Sequence, residues 1–98
     1  MANLLIWSDR ALKEFDELQE YLYEEWGEEI TQRVINEIIK TTIRVQNSPE
    51  QFPLFKKRKK IRRCVASPQT SIFFSISADV ILIISLFDNR QSPKKRKL

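Results

Sequence analysis

Lys56-Lys57-Arg58-Lys59-Lys60, followed at once by Ile61-Arg62-Arg63, is the densest set of groups in the chain that could do chemistry. Such cations grip phosphate or carboxylate, and arginine does so with a bidentate fork that lysine lacks. They do not by themselves activate a nucleophile. The chain has no histidine and one cysteine, Cys64. Ser-His-Asp and Cys-His catalysis are therefore excluded, and a zinc site has almost nothing to build on. No metal and no cofactor are expected. A lone cysteine forms no internal disulfide and fits a reducing cytoplasm. The bland account of the basic run is a solvated loop whose lysines guard a sheet edge. Its continuation into Arg62 and Arg63 favours a contact surface, because both fall on a predicted strand. Neighbours on a strand point to opposite faces, so at most one of the two faces the helices and the other is the better contact.

The elements that must position this run change character at Phe55. Up to that residue the chain has eleven acidic and five basic residues; from Lys56 it has two acidic and twelve basic ones. The halves carry −6 and +10, which sum to the net +4. A cationic sheet offered to an anionic partner, nucleic acid or acidic protein, follows from that asymmetry. The 98 residues make one domain, 1–98, with a basic tail over about 89–98. No apolar run approaches the roughly 20 residues that cross a membrane, and Met1–Ile6 is too short for a secretory signal. A cytoplasmic protein with no membrane partner is expected.

The hydrophobic spacing changes at the same place. Leu4–Trp7 reads as a short strand, and Ser8 as the cap of a helix that runs to about Trp26. Leu12, Phe15, Leu18, Leu22 and Trp26 form one stripe on it, while most of its glutamates form a solvated face. Gly27 is the only glycine and sits where a helix end needs positive φ. A second helix runs to about Gln46 with Ile30, Val34, Ile38 and Val45 on one stripe. Ile35, Ile39 and Ile43 lie beside it, which predicts a wide buried face. Asn47-Ser48-Pro49 stops it. Glu50–Phe55 reads as a linker pinned by Phe52 and Phe55. Strands follow at Ile61–Ala66, Ser71–Ser77 and Val80–Phe87, the last apolar on both faces and hence interior. The order is β-α-α-β-β-β: an α+β fold with an antiparallel sheet packed against a long helical hairpin. Trp7, Trp26, Phe15 and Leu22 are assigned to the core, and Cys64 to a buried strand position without chemistry. Tyr21 and Tyr23 lie at the helix flank, within reach of a partner. Lys94-Lys95-Arg96-Lys97 resembles a nuclear-localisation run but reads more simply as a basic tail.

Several segments, in this order, resemble the toxins of type II toxin–antitoxin modules, the RelE/ParE superfamily. They are Trp7-Ser8-Asp9-Arg10-Ala11, Tyr21-Leu22-Tyr23-Glu24-Glu25-Trp26-Gly27, Asn47-Ser48-Pro49-Glu50, Ile61-Arg62-Arg63 and Ile84–Pro93. The resemblance covers nearly the whole chain, and the long hairpin looks more like the ParE branch. It implies a growth inhibitor held inactive by a cognate antitoxin, which touches operator DNA only through that antitoxin. RelE-like members cut mRNA on the ribosome; ParE members inhibit DNA gyrase.

Metal-free RNA cleavage needs a base for the 2′-hydroxyl, a stabiliser for the phosphorane and an acid for the leaving oxygen. RelE-like sequences carry Tyr-Arg where this chain has Thr70-Ser71. The chain's only tyrosines, Tyr21 and Tyr23, lie on the first helix. Arg90 matches an arginine after the last strand. In an RNase, Arg62, Arg63 and Arg90 would stabilise charge, and a lysine of Lys56–Lys60, its pKa lowered by crowding, would carry the proton. In a binding toxin, Lys56, Lys57, Arg58, Lys59, Lys60, Arg62, Arg63 and Arg90 would contact antitoxin or target. The lack of an evident acid/base pair favours a ParE-like toxin. A non-toxic nucleic-acid-binding protein with salt-sensitive affinity is the third reading.

Overall fold

The structure, a computed structural model, describes residues 3–90; the Lys94–Lys97 run lies outside the described residues. The chain begins with β1 (Leu4–Trp7) and continues into α1 (Asp9–Asn47). Ser8 caps α1 as its sequence position predicts: its Oγ accepts from the Ala11 N–H at 3.0 Å. The same hydroxyl donates to the Ile84 carbonyl at 2.8 Å, which ties the helix start to the sheet.

Gly27 breaks α1 with φ 86° and ψ 173°. That φ is open to glycine and strained for any side chain. A straight helix of 39 residues would be about 58 Å long, whereas the longest dimension of the molecule is 39 Å. The two arms therefore fold back as the expected helical hairpin. A 3-10 turn, Pro49–Gln51, leads into four further strands: β2 (Leu54–Lys56), β3 (Ile61–Ser67), β4 (Thr70–Ser77) and β5 (Val80–Asp88).

The sheet order is β1-β5-β4-β3-β2. Its α+β class and hairpin packing are as the sequence predicts, with two refinements. The sheet is mixed, because β1 runs parallel to β5 while the other pairs are antiparallel. With apolar residues on both faces, β5 needs a neighbour on each side, and β1 supplies the second. The expected linker also contains a strand: Leu54 and Lys56 pair with Arg62 and Ile61 across a bulge.

One core lies between hairpin and sheet, built on Leu18, Leu22, Ile38, Ile72, Phe74 and Ile83. A smaller cluster of Ile61, Phe73 and Phe87 lies apart from it, with Ile84 packed on it. Adjacent strand residues alternate faces, so Phe73 and Phe74 separate the two clusters. Phe52 meets Phe74 edge-on at 5.9 Å, and Phe55 meets Phe73 at 4.9 Å. The linker is thus pinned on both sides of the sheet.

Two assignments need correction. Trp26 is 54% exposed and Leu12 49%, while Ala11 is fully buried. Ile39 and Ile43 are also exposed. Each arm carries more apolar positions than one sheet face can cover, so the positions at the shoulders of each stripe and beside the Gly27 break stay in solvent.

A bulge in β5 carries further polar contacts. Phe73 pairs with Ser85 and Phe74 with Ile83, which leaves Ile84 as the extra residue. Glu14 of α1 answers it: its Oε1 accepts from the Ser85 hydroxyl at 2.7 Å and the Leu86 N–H at 3.2 Å. Nothing in the sequence distinguishes Glu14 from its solvated neighbours, because its partners are 71 and 72 positions away.

Candidate functional site

The three arginines singled out by sequence do not converge. Arg62 pairs with Phe74 and so shares its helix-facing side. Its guanidinium donates to the Phe52 carbonyl at 2.6 Å and the Glu50 carbonyl at 3.4 Å, bracing the linker. Arg63 pairs with Phe73 on the outer face and donates to Ser71 Oγ at 3.1 Å. The alternation expected for the two side chains is present, and Arg63 is the outward one.

Arg90 follows β5, which is separated from β3 by β4, or about 10 Å. It is engaged with its own neighbour. Its Nε donates to Asp88 Oδ1 at 2.8 Å and its Nη2 to Oδ2 at 2.6 Å. Asp88 is fully buried and also accepts from the Arg90 N–H at 2.9 Å and the Thr70 hydroxyl at 2.7 Å. The Tyr21 hydroxyl donates to the Arg90 carbonyl at 2.7 Å. Burial pushes the Asp88 carboxyl up, but hydrogen bonds from Arg90 and Thr70 and the charge of Arg90 outweigh it and hold the group below its ordinary value. Those bonds hold Arg90 above its ordinary value in turn, against the opposing effect of burial. This is a satisfied buried pair that fixes the end of the sheet. Its acidic member and Thr70 carry no signal in the sequence beyond the two-residue spacing of Asp88 and Arg90.

Lys57, Arg58, Lys59 and Lys60 form the exposed β2–β3 turn, and Lys56 at its root is half-buried. Lys60 adopts a φ of 53°, and its N–H donates to the Lys57 carbonyl at 3.2 Å, closing the turn. Tyr23 is exposed, whereas Tyr21 is committed to the Arg90 carbonyl. Cys64 is buried, and burial raises its thiol above the ordinary value despite the charge of Arg44. It is not a nucleophile in waiting.

The outer face holds apolar and cationic side chains together: Phe55, Val65, Leu4 and Ile6 are exposed there, with Arg63 among them. A separate cleft of about 400 Å³ lies between the second helical arm and the β3–β4 turn, with Trp26, Ile30 and Val34 as its apolar wall. Arg33 and Arg90 also line it.

The family described as the ParE toxin of type II toxin-antitoxin systems, parDE, matches residues 5–93. The chain belongs to that family. No curated protein sequence matches it. Among solved structures, a chain from the chromosomal ParDE toxin–antitoxin system of P. aeruginosa is similar, with a TM-score of 0.77 at 16% identity over 89% of this chain and 96% of that one. A conserved hypothetical protein from Helicobacter pylori has a TM-score of 0.61 at 22% identity, covering 91% of this chain and 97% of that one. A copper-bound mutant toxin from Helicobacter pylori gives 0.55 at 24%, covering 90% and 96%. These likenesses establish the fold.

In this ParE-family toxin, then, the basic residues divide into two sets. Arg62 and Arg90 are braces: Arg62 binds linker carbonyls and Arg90 binds Asp88. The Lys57–Lys60 turn is presented to solvent, and Arg63 lies half-buried on the outer face. No helix among the described residues is long and apolar enough to cross a membrane.

Proposed function

We propose that this ParE-family toxin arrests growth by binding DNA gyrase rather than by cutting RNA, and that a cognate antitoxin encoded beside it neutralises it in the cytoplasm. The observation that carries the reading is the dispersal of Arg62, Arg63 and Arg90. Phosphorane stabilisation needs donors aimed at one point. Here one arginine faces the helices, one faces outward, and the third is held by Asp88. Neither tyrosine stands by the exposed cations as an acid or base: the Tyr21 hydroxyl is engaged with the Arg90 carbonyl, and Tyr23 lies on the helical hairpin.

What the outer face presents suits docking. Arg63 and the Lys57–Lys60 turn offer cations beside apolar Phe55 and Val65, a mixture typical of protein interfaces. Lys56, Arg62 and Arg90 serve this surface by holding its edge and corner. Contact with operator DNA is assigned to the antitoxin.

Induction of the gene alone and with its neighbour tests the class, with mRNA 5′ ends mapped in the same cells. Growth arrest relieved by the neighbour, without new 5′ ends inside translated messages, is the expected outcome. New ends within ribosome-occupied messages would establish the RelE-like alternative, a ribosome-dependent endoribonuclease.

A further inference from the structure

The cleft between the second helical arm and the β3–β4 turn takes no part in the docking surface. One side of the arm lines it: Ile30, Arg33, Val34 and Glu37 follow one another at helical spacing. The wall is apolar at Trp26 and Ile30, cationic at Arg33 about 4.5 Å further along the helix axis, and anionic at Glu37 about 6 Å beyond that. Arg33 and Glu37 have the same spacing as Arg10 and Glu14, which form an ion pair at 3.5 Å. Yet Arg33 and Glu37 form none, and neither side chain has another hydrogen-bond or ionic partner among the described residues. On the sheet side, Arg90 is neutralised by Asp88 but binds it through Nε and Nη2, which leaves the Nη1 N–H groups to offer. With that pair closed, the remaining charges of the cleft, Arg33 and Glu37, cancel.

We propose that this cleft binds a free α-amino acid with a large apolar side chain. The ligand's side chain lies against Trp26 and Ile30, its carboxylate accepts from Arg33 and Arg90, and its ammonium donates to Glu37. Charge selects this occupant. A phosphate or a nucleotide would bring negative charge up to Glu37 and leave that carboxylate unpaired. A purely apolar molecule would cover Arg33 and Glu37 without satisfying either. A zwitterion pairs with both, and an α-amino acid carries its two charged groups on the carbon that bears the side chain, in keeping with the order of the wall. Trp26, 54% exposed, supplies a flat surface for an apolar or aromatic side chain. The volume of about 400 Å³ lies toward the small end of ligand pockets.

The test is titration of the full toxin with L-phenylalanine, followed at the Trp26 indole N–H resonance. Saturable binding with a Kd of about 1 mM is expected for so small a ligand. Phenylalaninamide lacks the carboxylate, N-acetylphenylalanine lacks the ammonium, and alanine lacks the large side chain; each should bind about tenfold more weakly or worse. Two variants at exposed helix positions locate the charges. Arg33→Gln should lose most of the preference for phenylalanine over its amide, and Glu37→Gln most of the preference over the N-acetyl form. Circular dichroism checks that both are folded. No saturable shift at about 10 mM, ten times the expected Kd, overturns the proposal. Equal affinity for the free and capped forms in the wild type overturns the zwitterion. Preferences that survive unchanged in both folded variants overturn the cleft as the site.

Discussion

The two faces of the sheet put similar residues to opposite uses. On the helix-facing side, polar groups that look available in the sequence are consumed. Arg62 braces linker carbonyls, Glu14 answers the β5 bulge, and Asp88 holds Arg90. On the outer side, Arg63 makes one bond to Ser71, and Leu4, Ile6 and Val65 stand in solvent. The contrast teaches that charge alone does not mark a site. An arginine bound to a buried carboxylate stabilises the fold, whereas one on the outer face is proposed to meet a partner.

That division is open to attack by mutation. Arg90→Ala should cost the most stability, about 3 kcal/mol, because it strands a buried carboxylate; chemical denaturation measures it. Acid titration sharpens the point. In the wild type the Asp88 carboxyl lies below its ordinary 3.8, so its contribution is complete above that value and fades as pH falls through it. In Arg90→Ala the Thr70 hydroxyl and the residue-90 N–H still hold the carboxyl, but the guanidinium's bonds and charge are gone, so its pKa moves up and less stability should be lost over the same acid range. If both proteins respond alike to acid, the Asp88–Arg90 pair is not the brace described.

Ser8→Ala comes next, at about 2 kcal/mol, since it removes a helix cap and the bond to the Ile84 carbonyl together. Gly27→Ala should cost about 1–2 kcal/mol from backbone strain alone, because an added Cβ meets no atom within 4 Å. Both are read by thermal or chemical unfolding. The smallest effect belongs to the outer face: Arg63→Ala should change stability by no more than about 0.5 kcal/mol while weakening partner binding and flattening its salt dependence. Loss of fold in Arg63→Ala, or undiminished partner binding, would erase the contrast between the faces.

Local chemistry was legible in the sequence. Ser8 had to cap, the only glycine had to break the helix, and Val80–Phe87, apolar apart from Ser85, had to sit between neighbours. The opposite facing of Arg62 and Arg63 followed from strand alternation. What the sequence hid was set by distant pairing. Leu54–Lys56 becomes a strand only because β3 lies beside it, and nothing local in Leu4–Trp7 declares that it pairs in parallel with β5. Trp26 reads as core on a helical stripe but stands beside the helix break, largely in solvent. Arg90 reads as a free cation because nothing local declares that Asp88 is buried against Thr70.

The central claim is that the toxin acts by docking, and gyrase-catalysed supercoiling of relaxed plasmid measures that most directly. Purified toxin should inhibit the reaction. Arg63→Ala should inhibit it less, and the cognate antitoxin should restore it. Full gyrase activity at saturating, folded toxin would contradict the account.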